Sequence, residues 1–325
     1  MPLHTGFPWC FFSCPRPSSW LFFPFSPSLA PQMVVETMGM RKRNVLFQTK
    51  KGKTMSEQLQ AMSHERWPLL GDVNVIEMLS YLGTSELAER HITDEVEWVI
   101  TGVWDNTFNG VVRAQIPEAH ADQVIDEVTS RFRERNIPHL WFLNEDSRPA
   151  ALSQLLSAHG WQRLREGVGM AIDLSAIASP FPPPPDLTIE RVVDEEGVAL
   201  WGTFHRYLEN EQRDEPRERL YISLGLDGDQ PLRHYIARLG GEPAGALSLF
   251  LGREAAGIYN LEVAPALQRR GVGTAMTRAV LEEARRLGSR VGVVGPTRES
   301  RSMYERLGFV LHRQALPAYG YPPKS

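Results

Sequence analysis

Leu261-Glu262-Val263-Ala264-Pro265-Ala266-Leu267-Gln268-Arg269-Arg270-Gly271-Val272-Gly273-Thr274 reads as a buried strand, a short basic turn and the start of a helix. The first N–H groups of a helix have no intrahelical acceptor, and the helix dipole makes that end partly positive. Such an end binds phosphate. Glycine at 271 and 273 lets the backbone approach an anion closely. Arg269 and Arg270 add charge that pairs with phosphate. The segment therefore predicts a pyrophosphate site between a strand and a helix. Two commoner glycine-rich patterns do not fit. A dinucleotide fingerprint needs Gly or Ala where Met276 stands, and a Walker loop needs a Lys that is missing after Gly273.

The flanking sequence extends the pattern. Val272, Ala275, Met276, Ala279, Val280, Ala284 and Leu287 recur at helical spacing, and Glu282 and Arg286 stand four apart on the polar side. Gly288 predicts the helix end. Arg290 to Val294 is a β-branched run suited to a buried strand. After the Gly295-Pro296 turn comes Glu299-Ser300-Arg301-Ser302-Met303-Tyr304-Glu305-Arg306-Leu307-Gly308-Phe309.

Gln268 to Gly273 fits Gln/Arg-x-x-Gly-x-Gly/Ala. Together with Tyr304-Glu305-Arg306-Leu307-Gly308-Phe309 it resembles the two signatures of the GNAT superfamily of acyl-CoA N-acyltransferases, in the same order and at a typical separation. The resemblance implies an α/β (α+β) fold, a mixed and mostly antiparallel sheet flanked by helices. It implies acetyl-CoA as co-substrate, held by Gln268, Arg269, Arg270, Gly271, Val272, Gly273 and Thr274. The strand edge at Leu261, Glu262 and Val263 would pair with the pantetheine arm and polarise the thioester carbonyl. Tyr304 matches the superfamily tyrosine, the acid for the departing thiolate. The position that often carries a general base falls at Gly257, which has no side chain. Glu262 is then a candidate base, although strand alternation can turn it away from the thioester, and a chain of water molecules needs no unique base. His205 and Tyr207 lie near the usual acceptor entrance; a satisfied or solvent-facing role suits His205 better. Glu299 and Ser300 are read as helix caps. Glu209, Glu211, Asp214, Glu215 and Glu218 either attract a cationic amine or form a solvated acidic face. Tyr319 and Tyr321 either rim the site or pack.

The whole chain sets bounds. It has 325 residues with 42% hydrophobic and 23% charged, enough for about two globular domains and a tail. A net charge of −4 and the lack of long basic runs argue against nucleic-acid or membrane partners. Cys10 and Cys14 are the only cysteines, so the domains hold no thiol nucleophile or disulfide, and no metal is expected. Residues 1–32 carry a single charged side chain, Arg16, amid prolines at 15, 17, 24, 27 and 31. Those prolines forbid a long helix, and a secretory signal fits poorly. Residues 1–55 read as a disordered extension or as the product of an upstream start codon, with Met33, Met55 and Met62 as alternative starts.

Ser179 to Asp186 is a polyproline linker dividing 56–178 from 187–325. The second part predicts strands at Leu187–Val192, His234–Leu239, Ala244–Leu251 and Gly257–Val263, helices at Asp194–Leu208 and Arg217–Leu224, and a last strand at Val310–Gln314. The first part carries a fainter copy. A helix opens at Ile116-Pro117-Glu118, an apolar strand spans Pro138–Leu143, and Ser147–Trp161 ends in Leu-Leu-Ser-Ala-His-Gly-Trp. Setting Gly160 on Gly308 puts Leu156 where the second copy has Tyr304, and no glycine loop precedes the first helix. The first part thus resembles a degenerate GNAT domain. The expectation is a cytoplasmic N-acetyltransferase, monomer or homodimer, acting on a small-molecule amine; protein or peptide acetylation and a non-catalytic acyl-CoA sensor are the alternatives.

Overall fold

The computed structural model describes residues 55–164, 167–177, 182–205, 215–226, 228–313 and 316–321, with side chains from Arg66 onward. The readings made for residues 1–54, for Tyr207, Glu209, Glu211 and Asp214, and for part of the linker lie outside them. The described residues from Arg66 onward belong to one compact unit.

The first part of the chain gives α1 (Met55–Leu82), β1 (Glu89–Ile92), β2 (Val96–Ile100), β3 (Asn109–Ala114), α2 (Ala121–Arg135), β4 (Leu140–Phe142), α3 (Leu152–Ala158), β5 (Gln162–Arg163) and β6 (Val168–Asp173). After the linker come β7 (Leu187–Arg191), α4 (Glu195–Phe204), α5 (Glu215–Ser223), β8 (Leu232–Leu239), β9 (Glu242–Leu251), β10 (Ala256–Val263), α6 (Val272–Arg286), β11 (Val291–Val294), α7 (Arg301–Leu307), β12 (Val310–Arg313) and β13 (Ala318–Gly320). None of the described helices is long and apolar enough to cross a membrane.

The strands make two mixed sheets. One runs β1-β2-β3-β4-β13-β5, the other β12-β6-β11-β10-β9-β8-β7. The mixed α/β expectation holds, but the division drawn at the linker does not divide the sheets. β6 precedes the linker and pairs with β11 and β12. β13 ends the described chain and pairs with β4 and β5 in the first sheet. Each half lends the other a strand. Tyr319 and Tyr321 accordingly pack and do not rim the C-terminal site. Tyr319 is buried and hydrogen-bonded to Ser153, and Tyr321 stacks on His139 and meets Trp161 edge to face.

The two halves share an order: three antiparallel strands, a helical crossover, a parallel strand, a short helix. β3 and β4 pair parallel across α2, as β10 and β11 do across α6. The helix ends match in detail. Gly160 and Gly308 both have left-handed φ, +86° and +101°. Trp161 N–H donates to Leu156 O at 2.9 Å, and Phe309 N–H to Tyr304 O at 3.0 Å. Within Ser147–Trp161 the helix α3 begins only at Leu152, after Pro149 and the turns around it.

The second sheet is covered on both faces. Val272, Met276, Val280, Leu281 and Ala284 bury one side of α6 against β8–β11. On the other face Met78 and Leu82 of α1, Trp201 of α4 and Leu220 of α5 pack on Leu232, Ile236 and Phe250. The predicted α6 stripe needs two corrections. Leu287 lies outside it, half exposed at the helix end. Glu282 pairs with Arg278, one turn before it, at 2.8 Å, in place of the expected Arg286.

Candidate active site

β10 and β11 are hydrogen-bonded only over Ala256–Ile258 and Gly292–Val294. On its other side β10 pairs with β9 through Tyr259, slips register, and resumes at Glu262. Asn260 sits in this bulge with left-handed φ, +53°, which Asn tolerates better than most side chains. Bulges bend a strand and increase its twist. Here the bend carries β10 away from β11, and a cavity of about 1290 Å³ opens between them. That volume exceeds the roughly 300–1,000 Å³ of drug-sized sites and suits a long ligand.

One end of the cavity is the predicted turn. Gln268 Nε2 donates to Val263 O at 3.2 Å, tying the loop back to the strand end. Arg269 and Gly271 both have left-handed φ, +63° and +87°. Gly271 is the residue before α6, so the first N–H groups of that helix head the cavity. Gln268, Arg269, Arg270, Gly271, Gly273 and Thr274 all line it. Val272 does not: its side chain is buried beneath α6, so only its backbone N–H belongs to the turn. Ala275 and Ala279, placed by their periodicity in the core, line the cavity instead.

The other end is formed by α7. Tyr304 lines the cavity yet is only 3% exposed, with its ring edge against Phe309 at 5.3 Å. Burial, and next the charge of Glu262, push its phenol well above the usual value. Ser300 stands just before this helix, but its side chain accepts no N–H from it, so the expected cap is not made. Ser300 instead exchanges hydrogen bonds with Thr297 in the preceding turn. Thr297 N–H donates to Ser300 Oγ at 3.0 Å, and Ser300 N–H to Thr297 Oγ1 at 3.2 Å. Between the two ends run Leu261, Glu262 and Val263. All three line the cavity, and Leu261 and Val263 also pack on the α6 core. Glu262 is exposed as a residue, but the surrounding walls desolvate its carboxylate and raise its pKa.

Other candidates separate from this cavity. His205 is buried on Trp201, with ring centroids 3.9 Å apart. Burial and then Arg217 hold its pKa well below the usual value, which keeps it neutral. It does not line the cavity. Glu218 is also buried, against Gly202, and is no part of a solvated acidic face. Among the described residues no cluster of His, Cys, Asp and Glu suits a metal. Sequence reasoning missed Pro182 and Pro183, which form part of the cavity wall. The polyproline stretch was legible as a stiff spacer, and nothing in its pattern tells which surface it crosses.

Residues 199–309 match the acetyltransferase (GNAT) family. No curated protein matches the chain. Among solved structures, a GCN5-related N-acetyltransferase from Kribbella flavida is 14% identical, with TM-score 0.56, over 79% of this chain and 97% of that one. A tandem GNAT protein from the clavulanic acid biosynthesis pathway is 12% identical, with TM-score 0.51, over 77% and 88%. The glucosamine N-acetyltransferase region of a fungal multi-domain β-N-acetylglucosaminidase is 13% identical, with TM-score 0.52, over 81% of this chain and 36% of that one. At such identities the likeness is one of fold. Residues 199–309 thus match the GNAT acetyltransferase family, and the neighbours share the fold of this chain.

Proposed function

We propose that this protein transfers an acetyl group from acetyl-CoA to a primary amine of a small molecule, with both substrates held in one complex. The observation that carries the reading is the parting of β10 and β11, with an anion-binding turn at one end of the gap and a buried phenol at the other. The residues present suit the co-substrate. Two left-handed residues and a helix N-terminus form a cradle for a pyrophosphate. Arg269 and Arg270 flank it, and the unpaired edge of β10 offers backbone groups to an amide-bearing arm.

Bound acetyl-CoA supplies the activated acyl group. The amine nitrogen bonds to the carbonyl carbon, and the C–S bond breaks. Tyr304, kept protonated by its surroundings, donates to the departing sulfur. The amine's proton leaves through water or to Glu262, whose raised pKa makes it a stronger base than an ordinary carboxylate. If Glu262 accepts that proton, the rate falls as pH drops through its raised pKa, because the protonated carboxyl accepts nothing. The first half of the chain is read as a degenerate copy of the second.

The test is a panel of amines with purified protein and acetyl-CoA, reading release of free CoA. Rapid release with one amine class supports the reading. Binding of acetyl-CoA with no release above background for any amine or peptide would leave an acyl-CoA sensor. Absence of acetyl-CoA binding by calorimetry would remove the assignment of the cavity.

A further inference from the structure

The bulge that opens the cavity is held from the opposite face of the sheet. Asn74 of α1 is 1% exposed and lies against β10. Its Nδ2 donates to Ala255 O at 2.8 Å, and its Oδ1 accepts the Tyr259 hydroxyl at 2.6 Å. One side chain thus spans the regular part of the strand, from the residue before it to the last residue before the slip. Gly257 makes the room. A Cβ there would stand 2.0 Å from Asn74 Oδ1 and 2.6 Å from Tyr259 Cε2. The residue that seemed merely to lack a general base is the seat of an amide from another helix. Three residues further along α1, Glu77 holds the turn that leads into β10. It accepts from Arg253 Nε at 2.6 Å and from Arg253 N–H at 3.0 Å.

We infer that Asn74 and Tyr259 are positioning residues, which fix where β10 leaves β11 and so set the edge that faces acetyl-CoA. This rests on the proposed role of the cavity. Neither residue lines the cavity. They act through the backbone. Tyr259 anchors the residue next to Asn260, whose left-handed φ places everything from Leu261 to Val263. A buried amide and phenol that satisfy each other fix one geometry, whereas apolar contacts alone tolerate sliding. Without the bond, β10 can relax toward regular pairing with β11 and narrow the gap.

The experiment compares wild type, Tyr259→Phe and Asn74→Ala in the full chain. It reads hydrogen exchange of the amides from 259 to 263, acetyl-CoA affinity by calorimetry, and melting temperature. Tyr259→Phe keeps the ring and removes one hydroxyl, so it covers the case in which Asn74→Ala does not fold. Exchange over 259–263 should speed up at least tenfold, and acetyl-CoA should bind about tenfold more weakly. A lowered melting temperature with unchanged exchange over 259–263 and unchanged affinity would reduce the pair to simple packing and overturn the inference. If wild type itself binds no acetyl-CoA, the functional reading fails, and the exchange data alone still decide whether the pair holds the bulge.

Discussion

In the second sheet β10 leaves β11 after Ile258, and its free edge faces a cavity. In the first sheet β3, its topological counterpart, is paired with β4 only at Gly110 and Val111, and its edge is closed by its own chain. Arg148 N–H donates to Ala114 O at 2.9 Å, Ile116 N–H donates to Arg148 O at 3.1 Å, and Gln115 and Arg148 form a parallel bridge. The other parts of the site differ in the same direction. α2 is entered through Pro117 and a 3-10 turn without a left-handed glycine. Leu156 fills the place of Tyr304 and is wholly buried. Trp141, Trp161, Phe132 and Tyr319 pack the interior of that half. One frame therefore yields a cleft or a solid core according to whether the strand edge beyond the crossover pairs is left unpaired. An unpaired edge is a liability unless something covers it; among the described residues the edge beyond the crossover pairs is closed in the first half and left open in the second.

The comparison breaks most directly at the turn. Gly271→Asp should weaken acetyl-CoA binding at least about a hundredfold, since a charge-assisted contact of roughly 1.5–3 kcal/mol is replaced by repulsion. The fold should survive. A Cβ at 271 meets nothing closer than Pro184 Cγ at 3.6 Å, so the penalty is the strain of a left-handed Asp, about 1–2 kcal/mol. Calorimetry on a variant that still melts cooperatively is the measurement. Full-strength binding would mean that the co-substrate sits elsewhere, the first half included.

Tyr304→Phe sharpens the contrast between Tyr304 and Leu156. It keeps the ring against Phe309 and removes the proton donor. Turnover should fall by roughly 10²- to 10⁴-fold with acetyl-CoA affinity unchanged. Wild-type turnover, where chemistry limits the rate, would make Tyr304 a packing residue like its counterpart.

Much of this contrast was legible. The glycine turn, the α6 stripe, the three strands before it and the helix end at Gly288 rest on local chemistry, which sequence carries. The exchanged strands were not legible. Nothing local to Val168–Asp173 or Ala318–Gly320 names a partner sheet, because a strand's neighbours are chosen by the whole fold. α1 escaped because it packs on several sides against both sheets, which erases the one-sided pattern that betrays a surface helix. Glu262 was ambiguous for a definable reason: alternation predicts direction only while register holds, and the bulge at Asn260 resets it. Leu156 stands where the second half has Tyr304, in a half whose strand edge Arg148 already closes, a contact between segments that no spacing announces.

Trp161→Ala probes the closed half. Trp161 is 2% exposed and donates to Thr129 Oγ1 at 3.0 Å. Its loss should cost about 3–5 kcal/mol. Because each sheet contains a strand from the other half, the variant should still melt in one transition at lower temperature. Two separated transitions by calorimetry would show that the halves unfold independently and that the exchange does not couple them.

The smallest effect concerns His159, which stands where the open half has buried Leu307 when Gly160 is set on Gly308. His159 Nε2 lies 2.7 Å from Asp122 Oδ1 and Nδ1 lies 2.8 Å from Asp126 Oδ1, so the ring links the end of α3 to α2. Both ring nitrogens can donate only in the charged form. The bond to Asp122 is the largest influence raising its pKa above 6.5. A raised pKa means the folded state holds this proton more tightly than the unfolded chain does. The stabilisation is therefore complete below about pH 6.5 and is lost as pH climbs through the folded value. The buried histidines act in the opposite sense. His139 is held down to about 4 and His234 to about 3, chiefly by burial, so they cost stability as pH falls below 6.5. Both carboxylates that hold His159 are largely exposed, so its contribution is small and weakens with salt. His159→Asn should flatten the decline of melting temperature above pH 6.5 and leave the acid side unchanged. A decline of wild-type steepness in the variant would assign that limb to another group and leave His159 a surface contact.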